Sequence, residues 1–151
     1  MRYHVVTQTV SAQGRNTFGT HAVMALSTCS DGAVSSRPMS VVVINGRFYC
    51  QTDISYKKCS QIQGNPSAAL CFNNFSIEGT ARLLGRPTEY DFFVKAMKKH
   101  FRLAYMRYSS LDTECVIEIT PKLIYCWKYE LGKPYMEYLD LKNNRYRKEQ
   151  K

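Results

Sequence analysis

The chain of 151 residues has no uninterrupted apolar run near the ~20 residues that a membrane-spanning helix needs, so a helical membrane protein is excluded. It has six cysteines but no Cys-x-x-Cys pair, and its three histidines, His4, His21 and His100, are isolated in sequence. That spacing does not suggest a zinc site, and no metal is expected. No Ser-His-Asp set or carboxylate dyad stands out, and there is no internal repeat or low-complexity linker. The N-terminus MRYHVVTQTVSAQGRN contains no apolar secretion segment. The expectation is a cytoplasmic protein with all six thiols reduced. Acidic residues are also scarce, 12 against 21 Lys and Arg, for a net charge of +9. This balance favours anionic partners such as phosphate cofactors, nucleic acid or acidic surfaces.

A hydrophobic content of 44% and an aromatic content of 13% fit a globular chain long enough for one domain over 1–151. Arg2 to Val10 reads as a short strand or strap, and Ser11 to Gly19 as a polar loop. Strands are then predicted at Ala22–Thr28, Ala33–Ile44, Arg47–Thr52, Ser67–Phe72, Phe75–Leu84 and Glu114–Tyr125. Asp31-Gly32 and Asn45-Gly46 join the first three, because both central positions of a type I′ turn need positive φ. Pro38 argues for an edge or bulge within the second strand, since proline cannot donate to a ladder. A short helix is expected over Ser55–Gln63, capped by Asp53 or Ser55 and stopped by Gly64-Asn65-Pro66.

The main helix is expected to start at Thr88 as N-cap, with Asp91 in a capping-box position. Phe92, Phe93, Ala96, Met97, Phe101 and Ala104 then form one apolar stripe that packs over a sheet or barrel end. Residues 128–151, aromatic and basic, read as an arm over the body or a partner. Six strands with short turns and one substantial helix imply a mainly β protein, a small antiparallel β-barrel.

The chemistry-bearing cluster is Thr52, Ser55, Lys57 and Lys58. A phosphate needs charge and directional donors, and these supply hydroxyls, ammonium groups and N–H groups at a helix start. The alternative is a solvated helix start. Arg37, in Ser35-Ser36-Arg37-Pro38-Met39, either points into a ligand crevice or is an ordinary exposed strand residue. Met39 to Val43 offer an apolar wall to a flat ring, and Gln51 is an amide donor to a heterocycle.

Taken in order, ALSTCSDGAVSSRPM, NGRFYCQTD, SYKKCSQIQGNPSAALCF and FSIEGTARLLG resemble the FMN-binding split barrel of the pyridoxamine 5′-phosphate oxidase-like superfamily. The resemblance covers roughly residues 20 to 127, and Thr52, the lysine pair and Asn65-Pro66 followed by Ile77-Glu78-Gly79 carry most of it. It implies a six-stranded antiparallel split barrel with flanking helices, and a homodimer with FMN in the cleft between subunits. It also implies that Arg37, Pro38, Met39 and Ser40 border the ring and ribityl chain, with Gln51 and Thr52 on the ring or phosphate side. Lys57 and Lys58 would hold the phosphate with help from Ser55, while Asn74 and Trp127 approach the ring from the second subunit.

The implied activity is hydride or electron transfer at flavin N5 to or from a small molecule, with NAD(P)H a possible donor. The alternatives are a non-catalytic flavin sensor or carrier and, less favoured, a basic nucleic-acid-binding barrel. A deazaflavin or haem in the same crevice also remains open. The tail lacks the Arg-x-His motif that binds pyridoxal phosphate in the true oxidase; Tyr146 and Arg147 stand there instead, so vitamin B6 oxidation does not carry over.

Overall fold

The computed structural model describes residues 20–151. The readings of Arg2–Val10 and Ser11–Gly19 lie outside the described residues. Eight strands form one antiparallel sheet: β1 (His21–Ser30), β2 (Ala33–Ile44), β3 (Arg47–Asp53), β4 (Ser67–Phe72), β5 (Phe75–Leu83), β6 (Glu114–Glu130), β7 (Lys133–Asp140) and β8 (Arg145–Gln150). The order is β3-β2-β1-β4-β5-β6-β7-β8, and an added β3–β6 pairing closes the first six strands into a ring. The expected six-stranded barrel is therefore present, with a two-stranded extension. The segment read as an arm is the end of β6 followed by β7 and β8.

The turns follow from backbone chemistry. Asp31-Gly32 and Asn45-Gly46 all take positive φ, as does a third such pair, Leu131-Gly132, joining β6 to β7. This conformation gives a two-residue hairpin the twist of its flanking strands. Gly79 has another role. The register of β5 against β6 shifts between Glu78 and Gly79, and a Cβ at Gly79 would collide with the Thr120 carbonyl oxygen. The two backbones can approach only because that side chain is missing.

Alternation sorts the strands between two cores. Leu26, Val41, Phe48, Cys50, Leu70, Ile77, Ile117 and Ile119 fill the barrel. Val42, Tyr49 and Val116 point outward and are covered by Phe93 and Met97 of α2 (Asp91–His100). The predicted stripe thus packs on the sheet, although Phe92 stays 41% exposed. The main helix differs in detail from expectation. It breaks at Phe101 into α2 and α3 (Arg102–Tyr108), and Thr88 is not its N-cap. Pro87 instead opens a 3-10 turn over Pro87–Glu89, the Glu89 carboxylate accepts from Arg86 N–H at 3.1 Å, and Tyr90 caps α2 without a side-chain bond. Proline suits a first helical position because its missing N–H would be unpaired there anyway.

β2 pairs with β1 from Ala33 to Val42 but with β3 only through Val42, Val43 and Ile44. Pro38, opposite Ala25 of β1, therefore lies in a stretch of β2 whose other side has no partner strand among the described residues, where a missing N–H donor is tolerated. Where β2 and β3 diverge the barrel is split. The short helix α1 (Lys57–Gly64) follows β3 there and buries Ile62 in the barrel core. No helix among the described residues is long and apolar enough to cross a membrane.

Candidate functional site

The split gathers side chains from four elements, β1, β2, β3 and α1. Leu26 and Thr28 of β1 stand opposite Arg37 and Ser35 of β2, so all four share one face. Arg37 Nη1 donates to Thr28 Oγ1 at 2.8 Å and to the Leu26 carbonyl oxygen at 3.2 Å. Thr28 Oγ1 donates to Gln61 Oε1 at 2.6 Å, and Gln61 Nε2 donates to Ala33 O at 3.1 Å and Ser35 Oγ at 3.3 Å. Gln61 thus ties α1 to the β1–β2 hairpin. From the other side of the split, Lys58 Nζ donates to Thr52 Oγ1 at 2.9 Å and lies 4.7 Å from the Tyr56 ring centroid.

The site is electropositive. Lys58 is only 8% exposed. Among the described residues neither Lys58 nor Arg37 is in an ion pair. Burial lowers the pKa of Lys58, and the neighbouring Arg37 guanidinium lowers it further. Burial also lowers that of Arg37. Two like charges held together are unfavourable; the attraction of Lys58 to Glu114 is smaller than burial and the Arg37 repulsion, and a bound dianion would relieve both. The start of α1 adds to this, because Tyr56 provides no side-chain cap. Asp53, expected as a cap, instead accepts from Ser55 N at 2.8 Å and Ser55 Oγ at 2.7 Å. Nearby, Glu114 is pushed up to about 7, first by burial and then by Asp53, its cross-strand neighbour.

Arg37, Thr52 and Lys58 therefore come together in the split, although the sequence alone groups Thr52 and Lys58 with Ser55 and Lys57 and sets Arg37 apart. Ser55 and Lys57 lie exposed at the adjoining helix start. Pro38 is exposed on the β2 edge, Met39 packs partly against the barrel core, and Ser40 is half-buried. Gln51 points to the opposite face from Thr52. Its Oε1 accepts from Ser109 Oγ at 2.6 Å and its Nε2 lies 3.5 Å from Ala104 O, so it anchors α3. Asn74 and Trp127 meet at the β4–β5 turn, at the far end of β4 from α1. Asn74 Nδ2 donates to Trp127 O at 2.6 Å, and the indole is 55% exposed. Sequence reasoning missed Thr28 and Gln61. The three-residue spacing of Lys58 and Gln61, which places them on one helix face, was the available signal.

A second, open concavity of ≈ 510 Å³ lies between the barrel and α2, lined by Tyr49, Arg82, Tyr90, Phe92 and Glu118 among others. Glu118 is 7% exposed and accepts from Tyr49 Oη at 3.1 Å, Arg47 Nη1 at 3.4 Å and Arg82 Nη2 at 2.8 Å. Tyr49 and Arg82 are its cross-strand neighbours. Its charge is fully engaged in joining β3, β5 and β6. Among the described residues no three His, Cys, Asp or Glu side chains converge as a metal site.

Residues 11–128 match the sequence pattern of the family described as pyridoxamine 5′-phosphate oxidase. The chain belongs to that family. No protein of curated function matches it in sequence. Solved structures share its fold at low identity. The General Stress Protein 26 of Bacillus anthracis str. Sterne is 19% identical over 83% of this chain and 93% of its own, with a TM-score of 0.57. A pyridoxamine 5′-phosphate oxidase-related, FMN binding protein of Nostoc punctiforme PCC 73102 is 14% identical over 99% of this chain and 94% of its own, with a TM-score of 0.58. The heme storage protein HutZ of Vibrio cholerae is 11% identical over 73% of this chain and 89% of its own, with a TM-score of 0.62. Together these place the chain in the split-barrel fold, whose members are not confined to one cofactor.

Proposed function

We propose that this protein binds FMN in the split between β2 and β3 and works as an FMN-dependent oxidoreductase. The observation that carries the reading is the buried Lys58 beside Arg37, two cations that hydrogen-bond hydroxyls and make no ion pair among the described residues. A terminal phosphate supplies the missing negative charge, and the hydroxyls of Thr52 and Thr28 fix the donors that meet it. FMN also fits the neighbourhood, because Met39 continues the wall beyond Arg37 with partly buried apolar surface on which a flat ring can lie. When bound, the flavin supplies the hydride or electron chemistry. The chain supplies orientation and charge. Lys58, Arg37 and Thr52 hold the phosphate end, Gln61 keeps α1 in register with the hairpin, and Ser55 and Lys57 extend the positive helix start.

The protein acts as a homodimer in this reading. The outer edge of β2 from Ala33 to Val41 has no partner strand among the described residues, which leaves that side of the crevice open. Trp127, exposed and braced by Asn74, is the ring that the second subunit brings to it. The working compartment is the cytoplasm, and NAD(P)H is a candidate donor.

The test is the absorbance spectrum of the purified protein with mass spectrometry of the released chromophore. A yellow protein releasing FMN supports the reading, and reduction of the bound flavin by NADH or NADPH supports the enzyme. A flavin that stays oxidised with every physiological donor indicates a carrier or sensor. A colourless protein that also fails to take up added FMN sinks the flavin mechanism.

A further inference from the structure

Cys59 and Cys115 face each other beside the electropositive site. Cys59 follows Lys58 in α1, and Cys115 stands opposite Thr52 on β6. Their Sγ atoms are 3.9 Å apart, both thiols are free, and both are buried. Each is therefore next in the chain or next across the sheet to one partner of the Lys58–Thr52 hydrogen bond. We propose that Cys59 and Cys115 form a redox-active dithiol that a hydroperoxide converts to a disulfide, thereby weakening phosphate binding. The cross-link stands by itself; its effect on binding rests on the phosphate assignment above.

The chemistry assigns the two sulfurs different roles. The thiol–thiol contact, in which either sulfur can donate, lowers the Cys59 pKa, and Lys58 lowers it further. The same contact and burial push Cys115 far up. Cys59, next to Lys58 near the uncapped start of α1, is the nucleophile, and Cys115, held on β6, is the resolving thiol, while Cys50, pushed up to about 12 by burial, stays protonated. The Cys59 thiolate attacks one peroxide oxygen, the O–O bond breaks, and the departing hydroxide takes a proton to become water. The Cys115 sulfur then attacks the resulting sulfenic acid, the S–O bond breaks, and the thiol proton leaves with that oxygen as a second water. Two thiols are oxidised by two electrons in total and one peroxide is reduced.

Access comes through α1, only eight residues long and without a side-chain cap, so opening of its first turn uncovers Cys59. Disulfide formation must bring the sulfurs from 3.9 Å to about 2.05 Å. That closure draws the first turn of α1 toward β6 and displaces Lys58 from Thr52.

The experiment uses the full chain with Cys29→Ser and Cys71→Ser, which removes the two least buried thiols. It is treated with hydrogen peroxide, alkylated in denaturant and mapped by mass spectrometry. The expected result is loss of two hydrogen atoms and a Cys59–Cys115-linked peptide pair, both reversed by dithiothreitol. Adding Cys115→Ser should stop the reaction at a Cys59 sulfenic acid that dimedone traps. FMN affinity should fall at least about tenfold in the oxidised protein and return on reduction. Failure to find the linked pair overturns the proposal. A linked pair with unchanged FMN affinity overturns the coupling. If the reduced protein does not bind FMN, the flavin reading and with it the coupling fail, whereas the cross-link is decided by mass alone.

Discussion

Replacing Lys58 by methionine keeps most of the side-chain stem and removes only the charge. Two opposite effects are expected. In the ligand-free protein, Lys58 is a buried cation that stands beside Arg37 and hydrogen-bonds Thr52, and its burial and the Arg37 repulsion outweigh its attraction to Glu114, so the wild type carries a net cost that the variant lacks. The variant should melt at the same temperature as the wild type or above it. FMN affinity should instead fall by about 1–3 kcal/mol, the range for a charge-assisted hydrogen bond, or roughly 5- to 150-fold. Flavin fluorescence titration and thermal melting of the apoprotein read the two effects separately. Unchanged FMN affinity would refute the phosphate assignment. A strong loss of apoprotein stability would show instead that Lys58 is there for the fold.

Glu114 offers a pH test. Its carboxyl is pushed up to about 7 in the folded protein against an ordinary 4.5, so the folded state holds a proton that the unfolded chain has lost. Stability should therefore decline as pH rises from about 4.5 to 7 and then level off, by roughly 1–3 kcal/mol. Urea midpoints of Glu114→Gln should lack this decline, and an identical pH profile in the variant would count against it. Gly79→Ala should cost about 1–3 kcal/mol by forcing β5 away from the Thr120 carbonyl, and a midpoint equal to wild type would show that the two backbones can part freely. Phe93→Ala should cost about 3–5 kcal/mol because its ring is fully buried between α2 and the sheet. A loss below about 1 kcal/mol would mean that α2 is not held by that contact.

Much of the barrel was legible because its information is local. Asp31-Gly32 and Asn45-Gly46 specify their turns through backbone conformation alone. Alternation in Val116 to Ile119 separates an outer face from a core face whatever the partner strands are. The start of α2 was misplaced by a local competition, in which Pro87 nucleates a 3-10 turn ahead of the cap expected at Thr88. Strands β7 and β8 read as an arm because charged and aromatic residues on an edge obscure alternation. Arg147 stacks on Tyr138 at 4.3 Å and Lys148 on Tyr135 at 4.8 Å, contacts visible only once the strands are paired.

The sequence by itself determined the hairpins, the strand faces, the apolar stripe and the lysine pair after β3, since each depends on neighbours a few residues away. Only the tertiary structure decided that the ring closes between β3 and β6, that Arg37 meets Lys58 across the split, and that Gln51 turns away from Thr52. Those outcomes depend on register between strands distant in sequence. A shift of one residue in pairing reverses every side chain, and no local pattern specifies that register by itself.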